Sequence, residues 1–253
     1  MATYLITGAS KGIGFELVKQ FSELPTSQVG RIFAVTRSEP PQPLRELISK
    51  HEGRVENVRA AVDDEASIKK AVGDVKKSLG SHGLDVLVNN AGTQGASPEG
   101  THAVPPEQLN HLFNINVTGP HRVTSAFIPL LEAGAQKKVI NVSSTMGSIS
   151  WAEKYVKAPT PSYKISKAAL HMLNKQYALE YAEKGFTFLC VSPGWLKTDL
   201  GGDYADFPVE VGVTELKRII LEADKSQNGK FVNIHVPGQE QAWGRYDGKE
   251  IEW

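Results

Sequence analysis

Tyr163 and Lys167 stand four residues apart in Tyr163-Lys164-Ile165-Ser166-Lys167, inside Ser162–Tyr181, a stretch without proline or glycine that reads as helix. That spacing puts the phenol and the ammonium on one helical face, a turn apart. A free tyrosine has a pKa of about 10, too high for acid–base work at neutral pH. A lysine cation about 4 Å away, at an effective dielectric of about 20, favours the phenolate by roughly 4 kcal/mol, or about 3 pKa units. The Tyr163 pKa is therefore expected to be lowered toward neutral pH by Lys167. Alone, such a pair is most often a helix-surface contact; its weight comes from what surrounds it.

Thr7-Gly8-Ala9-Ser10-Lys11-Gly12-Ile13-Gly14 follows the apolar strand Tyr4-Leu5-Ile6 and precedes an apolar stripe at Ile13, Leu17, Phe21 and Leu24 that reads as helix. Strand, glycine turn and helix suit a phosphate: glycines admit the backbone close to it, and a helix N-terminus offers free N–H groups and positive potential. Leu84–Val88 delivers Asn89-Asn90-Ala91-Gly92, Val139–Val142 delivers Ser143-Ser144-Thr145-Met146-Gly147, and Thr187–Val191 leads to Pro193-Gly194-Trp195-Leu196-Lys197-Thr198-Asp199. Open parallel sheets bind ligands at such carboxyl ends. Asn116 falls in a helix expected from Glu107 to about Leu131, disturbed at Gly119-Pro120. The remaining elements are strands over Ile32–Val35 and Val55–Val62, a helix over Leu44–His51, a helix over Glu65–Leu79 capped by Asp63 and Asp64, and a last strand within Gly229–Val236. This alternation predicts an α/β fold of Rossmann type, a doubly wound parallel sheet with helices on both faces.

These motifs, in this order, resemble the short-chain dehydrogenase/reductase family over essentially the whole chain. The resemblance implies seven strands in the order 3-2-1-4-5-6-7 and one domain over 1–253, with a cofactor half to about 136 and a catalytic and substrate half from about 137. It implies a catalytic tetrad of Asn116, Ser144, Tyr163 and Lys167. Ser144 would donate to a carbonyl oxygen, Tyr163 would protonate it as hydride arrives, Lys167 would assist the tyrosine and hold the nicotinamide ribose, and Asn116 would order a relay water. The cofactor would lie along Gly8, Ser10, Lys11, Gly12, Ile13 and Gly14, then Asn90, Ala91 and Gly92, then Pro193, Gly194, Leu196 and Thr198, with Tyr163 and Lys167 at the nicotinamide end.

Its identity turns on the residues after the second strand. A carboxylate there accepts the adenosine ribose hydroxyl and repels a 2′-phosphate. The chain instead has Thr36-Arg37-Ser38, with Glu39 beyond the turn. Arg37 offers a fork of donors to a phosphate carrying about 1.5–2 negative charges, and in the family's fold Lys11 approaches the same phosphate. NADP(H) is therefore the expected cofactor, and a small-molecule carbonyl compound the expected substrate.

The sequence departs from the family pattern at two points. Ser144 and Tyr163 are nineteen residues apart, longer than is usual, and the added loop around Trp151–Pro161 carries Lys154 and Lys157. An adenine-contacting aspartate of the family falls on Ala61, with Asp63 two residues on. The string from Pro193 to Gly202 and the ending Tyr246–Trp253 resemble a subgroup with sniffer-type carbonyl reductases, bacterial C-factor and fungal norsolorinic acid ketoreductases. Trp151, Trp195, Tyr204 and Phe207 are candidates for an aromatic pocket wall, which favours an apolar or aromatic ketone. The runner-up reading, a non-catalytic NADP-binding or signalling protein on the same scaffold, fits poorly with a chain that keeps both Tyr163 and Lys167. An epimerase of sugar nucleotides shares the Tyr-Lys spacing but normally carries a further substrate domain.

Lys and Arg balance Asp and Glu at 28 each, so nothing in the charge points to nucleic acid or a membrane surface. The seven histidines lack metal-ligand spacing and no metal is expected. One cysteine, Cys190, excludes a disulfide within the chain. A strand beginning near Met1 leaves no room for a signal peptide, so a cytoplasmic protein is expected; self-association is left open.

Overall fold

The computed structural model describes residues Met1–Trp253. Seven parallel strands form its central sheet: β1 (Ala2–Thr7), β2 (Val29–Thr36), β3 (Val55–Arg59), β4 (Val86–Asn89), β5 (Lys138–Val142), β6 (Thr187–Ser192) and β7 (Phe231–Asn233). Their spatial order is β3-β2-β1-β4-β5-β6-β7, as the family resemblance implies. Strands β1, β4, β5 and β6 are buried along their whole length, which is why they read as continuous apolar runs rather than alternating ones.

Helices cover both faces. Leu17 and Phe21 of α1 (Gly12–Ser22), Leu44 of α2 (Gln42–Lys50) and Val213, Leu216 and Ile220 of α7 (Val209–Glu222) join one apolar core. Ile68 and Val75 of α3 (Glu65–Leu79) and Val123, Phe127 and Leu131 of α5 (Gly119–Glu132) join the other. Asp64 caps α3 by accepting from Ala66 N at 3.0 Å, while the neighbouring Asp63 is exposed and plays no part in that cap.

The helix expected from Glu107 to about Leu131 is two α-helical pieces, α4 (Pro106–Phe113) and α5, joined by a π turn over Asn114–Thr118. The disturbance thus lies just before Gly119-Pro120. Its cause is Pro120, which has no N–H to give the carbonyl four residues earlier, that of Asn116. Strand β3 stops at Arg59, short of the expected Val62; beyond it Ala61 trades bonds with Ser67, whose Oγ accepts from Ala61 N at 3.0 Å. A two-residue parallel ladder pairs Leu196 with Phe207 and Lys197 with Pro208, closing the loop after β6.

The strand order reverses between β1 and β4, so crossovers leave the sheet in opposite directions there and open a crevice at the carboxyl ends. The glycine turn, Asn89–Gly92, Ser143–Gly147 and Pro193–Asp199 all follow strands into that crevice. The helix α6 (Pro161–Glu180) lies beside it.

Candidate active site

The crevice is lined first by backbone. Lys11, the residue preceding α1, is extended at φ −162°, no side chain caps the helix, and its first turn holds no acid. Its leading N–H groups are therefore open to an anion. A Cβ on Gly14 would stand 2.4 Å from the Gly8 carbonyl oxygen, and one on Gly8 2.9 Å from Ala91 Cα. No side chain fits at either place. Thr7 Oγ1 accepts from Asn90 N and Ala91 N at 3.0 and 3.1 Å, and Asn90 Nδ2 donates to Thr7 O at 2.9 Å. The glycine turn and Asn90-Ala91-Gly92 are thus one stitched surface.

Thr198 forms the facing wall, its methyl 3.4 Å from where a Gly12 Cβ would be; its hydroxyl accepts from Gly201 N at 3.0 Å. Gly194 turns at φ +84°, against Ile234 and Tyr246. Pro193 precedes it, and Leu196 sends its buried side chain toward Gly212, so only main chain is left for a ligand at Leu196. Ser10 and Ile13 are half-buried, and Ile13 packs on the core. This glycine-floored cradle at a helix N-terminus fits the pyrophosphate of a dinucleotide.

At its far end Arg37 is exposed on the turn after β2. The nearby Glu39 is drawn away to Arg59, 2.6 Å distant. Lys11, expected beside Arg37, instead reaches across to Asp199 at 2.5 Å, both side chains exposed. An ion pair so open to water is weak and yields readily to a multiply charged phosphate.

Helix α6 supplies Tyr163 and Lys167, both buried. Lys167 Nζ donates to Val142 O at 3.0 Å and lies 5.6 Å from the centroid of the Tyr163 ring. Gly147 makes room for this, since a Cβ on it would be 2.7 Å from Lys167 Cβ. Ser144, half-exposed at the end of β5, begins the short 3-10 turn Thr145–Gly147 and accepts from Met146 N at 3.2 Å.

The expected fall in the Tyr163 pKa is absent. Burial pushes the phenol up to about 12, opposed only by its bond with the Ser144 side chain. The ammonium is aimed at Val142 O, and burial lowers Lys167 itself to about 8. Desolvation sets the direction here, so Tyr163 is held as the neutral phenol.

Asn116 is almost fully buried in the π turn. Its Nδ2 donates to Thr93 O at 2.8 Å and Ser166 Oγ at 3.0 Å, and its Oδ1 accepts from Thr93 N at 2.9 Å. Both amide protons are spent. Pro120, lacking an N–H, cannot give the Asn116 main-chain carbonyl its α-helical bond.

The four aromatic candidates do not gather into one wall. Trp151 packs beside Cys190, Phe231 and Ile251, with Lys154 Nζ 4.2 Å and the Arg245 guanidinium 5.4 Å from its ring centroid. It faces the C-terminal segment. Tyr204, 93 % exposed, stands in solvent. Trp195 is partly exposed, its Nε1 donating to Gly201 O at 2.8 Å, and Phe207 packs edge-on against Tyr246 at 4.8 Å.

Several residues at the site escaped the sequence reading. From the long loop Tyr155 is buried and puts its hydroxyl 2.5 Å from Thr145 Oγ1, with Trp243 edge-on at 4.7 Å. Tyr246 donates to Asp206 and accepts from Trp195 N. A buried amide chain anchors α6 to the strands: Asn89 Nδ2 donates to Asn141 Oδ1, and Asn141 Nδ2 to Asn174 Oδ1, both at 2.9 Å. The one signal for it was Asn141, a polar residue inside an apolar strand.

The short chain dehydrogenase family profile matches residues 2–207. A short-chain dehydrogenase/reductase from an Arthrinium species is 34% identical over 216 residues, 82% of this chain and 79% of that protein. Among solved structures, an NADPH-bound carbonyl reductase from chicken fatty liver superposes with a TM-score of 0.89 at 29% identity, covering 100% of this chain and 94% of the other. The carbonyl reductase Sniffer of D. melanogaster gives a TM-score of 0.86 at 27% identity, covering 100% of both. No helix of the chain is long and apolar enough to cross a membrane.

Proposed function

The chain belongs to the short-chain dehydrogenase family, and from that membership we propose that it is an NADPH-dependent reductase of ketones or aldehydes, with Tyr163 as the proton donor. The observation that carries this reading is the conjunction of a buried, neutral Tyr163 with Ser144 acting on its phenol and Lys167 one helical turn away. The glycine-floored cradle ends within reach of the same residues, through Gly92 and Thr198. NADPH also accords with the exposed Arg37 and the absence of a free carboxylate beside it, and with the cofactor bound in the chicken relative.

When bound, the nicotinamide supplies the hydride. Ser144 and Tyr163 present two hydroxyl donors to the substrate carbonyl oxygen, which stabilises the negative charge that develops there and orients the carbon for attack. Tyr163 releases its proton to that oxygen. At a pKa of about 12 the phenol is fully protonated at neutral pH, which suits reduction and makes the phenolate needed for alcohol oxidation scarce. Lys167, lowered to about 8, exchanges its proton near neutrality and can recharge Tyr163. A water on the Asn116 main-chain carbonyl would connect Lys167 to solvent. Beside the loop after β6, Trp195 is partly exposed and Phe207 packs on the buried Tyr246, and these rings favour an apolar or aromatic carbonyl compound.

The test is NADPH oxidation by the purified protein with aromatic ketones, diketones and quinones. Turnover of at least one class, lost in Tyr163→Phe, is expected. Tight NADPH binding without turnover of any of them would replace this reading with a non-catalytic one.

A further inference from the structure

His171 is a buried titratable side chain that the chemistry above leaves unused. It sits on α6 four residues after Lys167 and eight after Tyr163, on the face they share. Its Nε2 is 2.7 Å from Ser143 Oγ, and the Gly147 backbone lies within electrostatic reach of the ring. A carbonyl oxygen only accepts, so the tautomer that serves both neighbours carries its proton on Nδ1 and leaves Nε2 bare to accept from the Ser143 hydroxyl. The ring packs against the stacked pair Phe231 and Trp253, at centroid distances of 4.2 and 5.2 Å. Burial and the adjacent Lys167 ammonium keep it uncharged, with a pKa lowered to about 3.

The two residues that face His171 bracket Ser144. Ser143 precedes it, and Gly147 closes the 3-10 turn that Ser144 begins, with Gly147 N donating to Ser144 O at 2.9 Å. Between them Thr145 is tied to Tyr155. The turn has little freedom of its own once both ends are gripped, and the grip comes from the helix that carries the proton donor.

We propose that His171 is a positioning residue for Ser144: by binding Ser143 and Gly147 at once, it fixes the turn so that the Ser144 hydroxyl meets the Tyr163 phenol and the substrate oxygen together. This rests on the reductase reading of Ser144 and Tyr163. A side chain that merely filled the core would stabilise the fold without acting through Ser144, and the two roles separate in a mutant cycle.

The experiment measures kcat and KM for carbonyl reduction, NADPH affinity and Tm in wild type, His171→Leu, His171→Gln, Ser144→Ala and the Ser144→Ala/His171→Leu double variant. His171→Leu should lower kcat about tenfold or more, as small misplacements of catalytic groups do, with NADPH affinity unchanged. His171→Gln, whose amide oxygen can stand where Nε2 stood, should recover part of that loss. In the Ser144→Ala background the His171→Leu penalty should vanish, because no hydroxyl is left to position. A penalty of equal size with and without Ser144, or one that follows loss of Tm across the variants, overturns the proposal. NMR of the histidine ring nitrogens in the ligand-free protein supplies a readout independent of turnover: a protonated Nδ1 and bare Nε2 support the grip, and the opposite tautomer overturns it. Wild type that shows this tautomer and binds NADPH yet reduces no carbonyl would sink the reductase reading and, with it, the role assigned to Ser144, while leaving the grip itself measured.

Discussion

Replacing Arg37 with alanine removes the one strong cation placed after β2 with no competing partner of its own. Its guanidinium is exposed, and Glu39, the nearest acid in sequence, is taken by Arg59 at 2.6 Å. A charge-assisted hydrogen bond contributes about 1.5–3 kcal/mol. Discounted for solvent at an exposed side chain, about 1.4 kcal/mol of it survives, which is a factor of about ten in binding. Arg37→Ala should therefore raise KM for NADPH about tenfold or more and leave NADH almost untouched, since NADH has no 2′-phosphate to lose. Lys11 must first leave Asp199, 2.5 Å away, so Lys11→Ala should show a smaller loss of the same kind. Asp199→Asn frees Lys11 and should improve NADPH, not NADH, by a small factor. The assay is kcat/KM for both cofactors across wild type and the three variants at fixed ionic strength, repeated at higher salt, where the differences should shrink. A wild type that prefers NADH, or an Arg37→Ala that weakens both cofactors equally, refutes the reasoning.

Tyr163→Phe should fold and bind NADPH like wild type while losing about 10²–10⁴ in kcat; single-turnover rates within tenfold of wild type would remove Tyr163 from its role. Gly14→Ala forces a Cβ to 2.4 Å from the Gly8 carbonyl, so the glycine turn must open; calorimetry should show NADPH affinity down by at least tenfold, and unaltered affinity would mean the cradle is not the pyrophosphate site. Acid should destabilise the protein through His171. Its folded pKa of about 3 lies below the unfolded value of about 6.5, so the unfolded chain takes the proton first and stability is lost as pH falls from about 6.5 toward 3, by up to roughly 5 kcal/mol. Urea unfolding across that window should have a shallower pH slope in His171→Gln, and an identical slope would show that other groups govern it.

The parallel α/β architecture and its crevice were legible because they depend on types and spacings visible along the chain: apolar runs for buried strands and glycines where backbone must approach backbone; the strand order and the site residues came from the family resemblance that these motifs carry. The sign of the Tyr163 pKa shift was not legible. It depends on where Lys167 Nζ points, and Val142 O, which takes it, lies on another element. The disturbance expected at Gly119-Pro120 lies a few residues earlier, over Asn114–Thr118, because the effect of Pro120 is felt upstream, at the carbonyl it fails to serve. Trp151 looked like a pocket wall on sequence proximity to Ser144, yet the long loop carries it to the C-terminal segment and sends Tyr155 inward instead. His171 and the Asn89–Asn141–Asn174 chain are pairings across distant segments, and beyond the polar Asn141 in its apolar strand nothing inside one segment announces them.

The seam between β1 and β4 also bears on how the protein comes apart. These strands pair Tyr4 with Val86 and Ile6 with Val88, so joining them closes a loop of about eighty residues before any contact rewards it, a slow event of the kind that limits the folding of parallel sheets. The first three strands can assemble on one side and the last four on the other, with this junction the place where the two assemblies meet and, on unfolding, part. A dinucleotide held in the proposed cradle would touch both, through the glycine turn on one side and Asn90–Gly92 and Thr198 on the other. It must depart before the seam opens. Cofactor occupancy should therefore act chiefly on the rate of unfolding, giving a protein whose lifetime against proteases is set by how long the ligand stays.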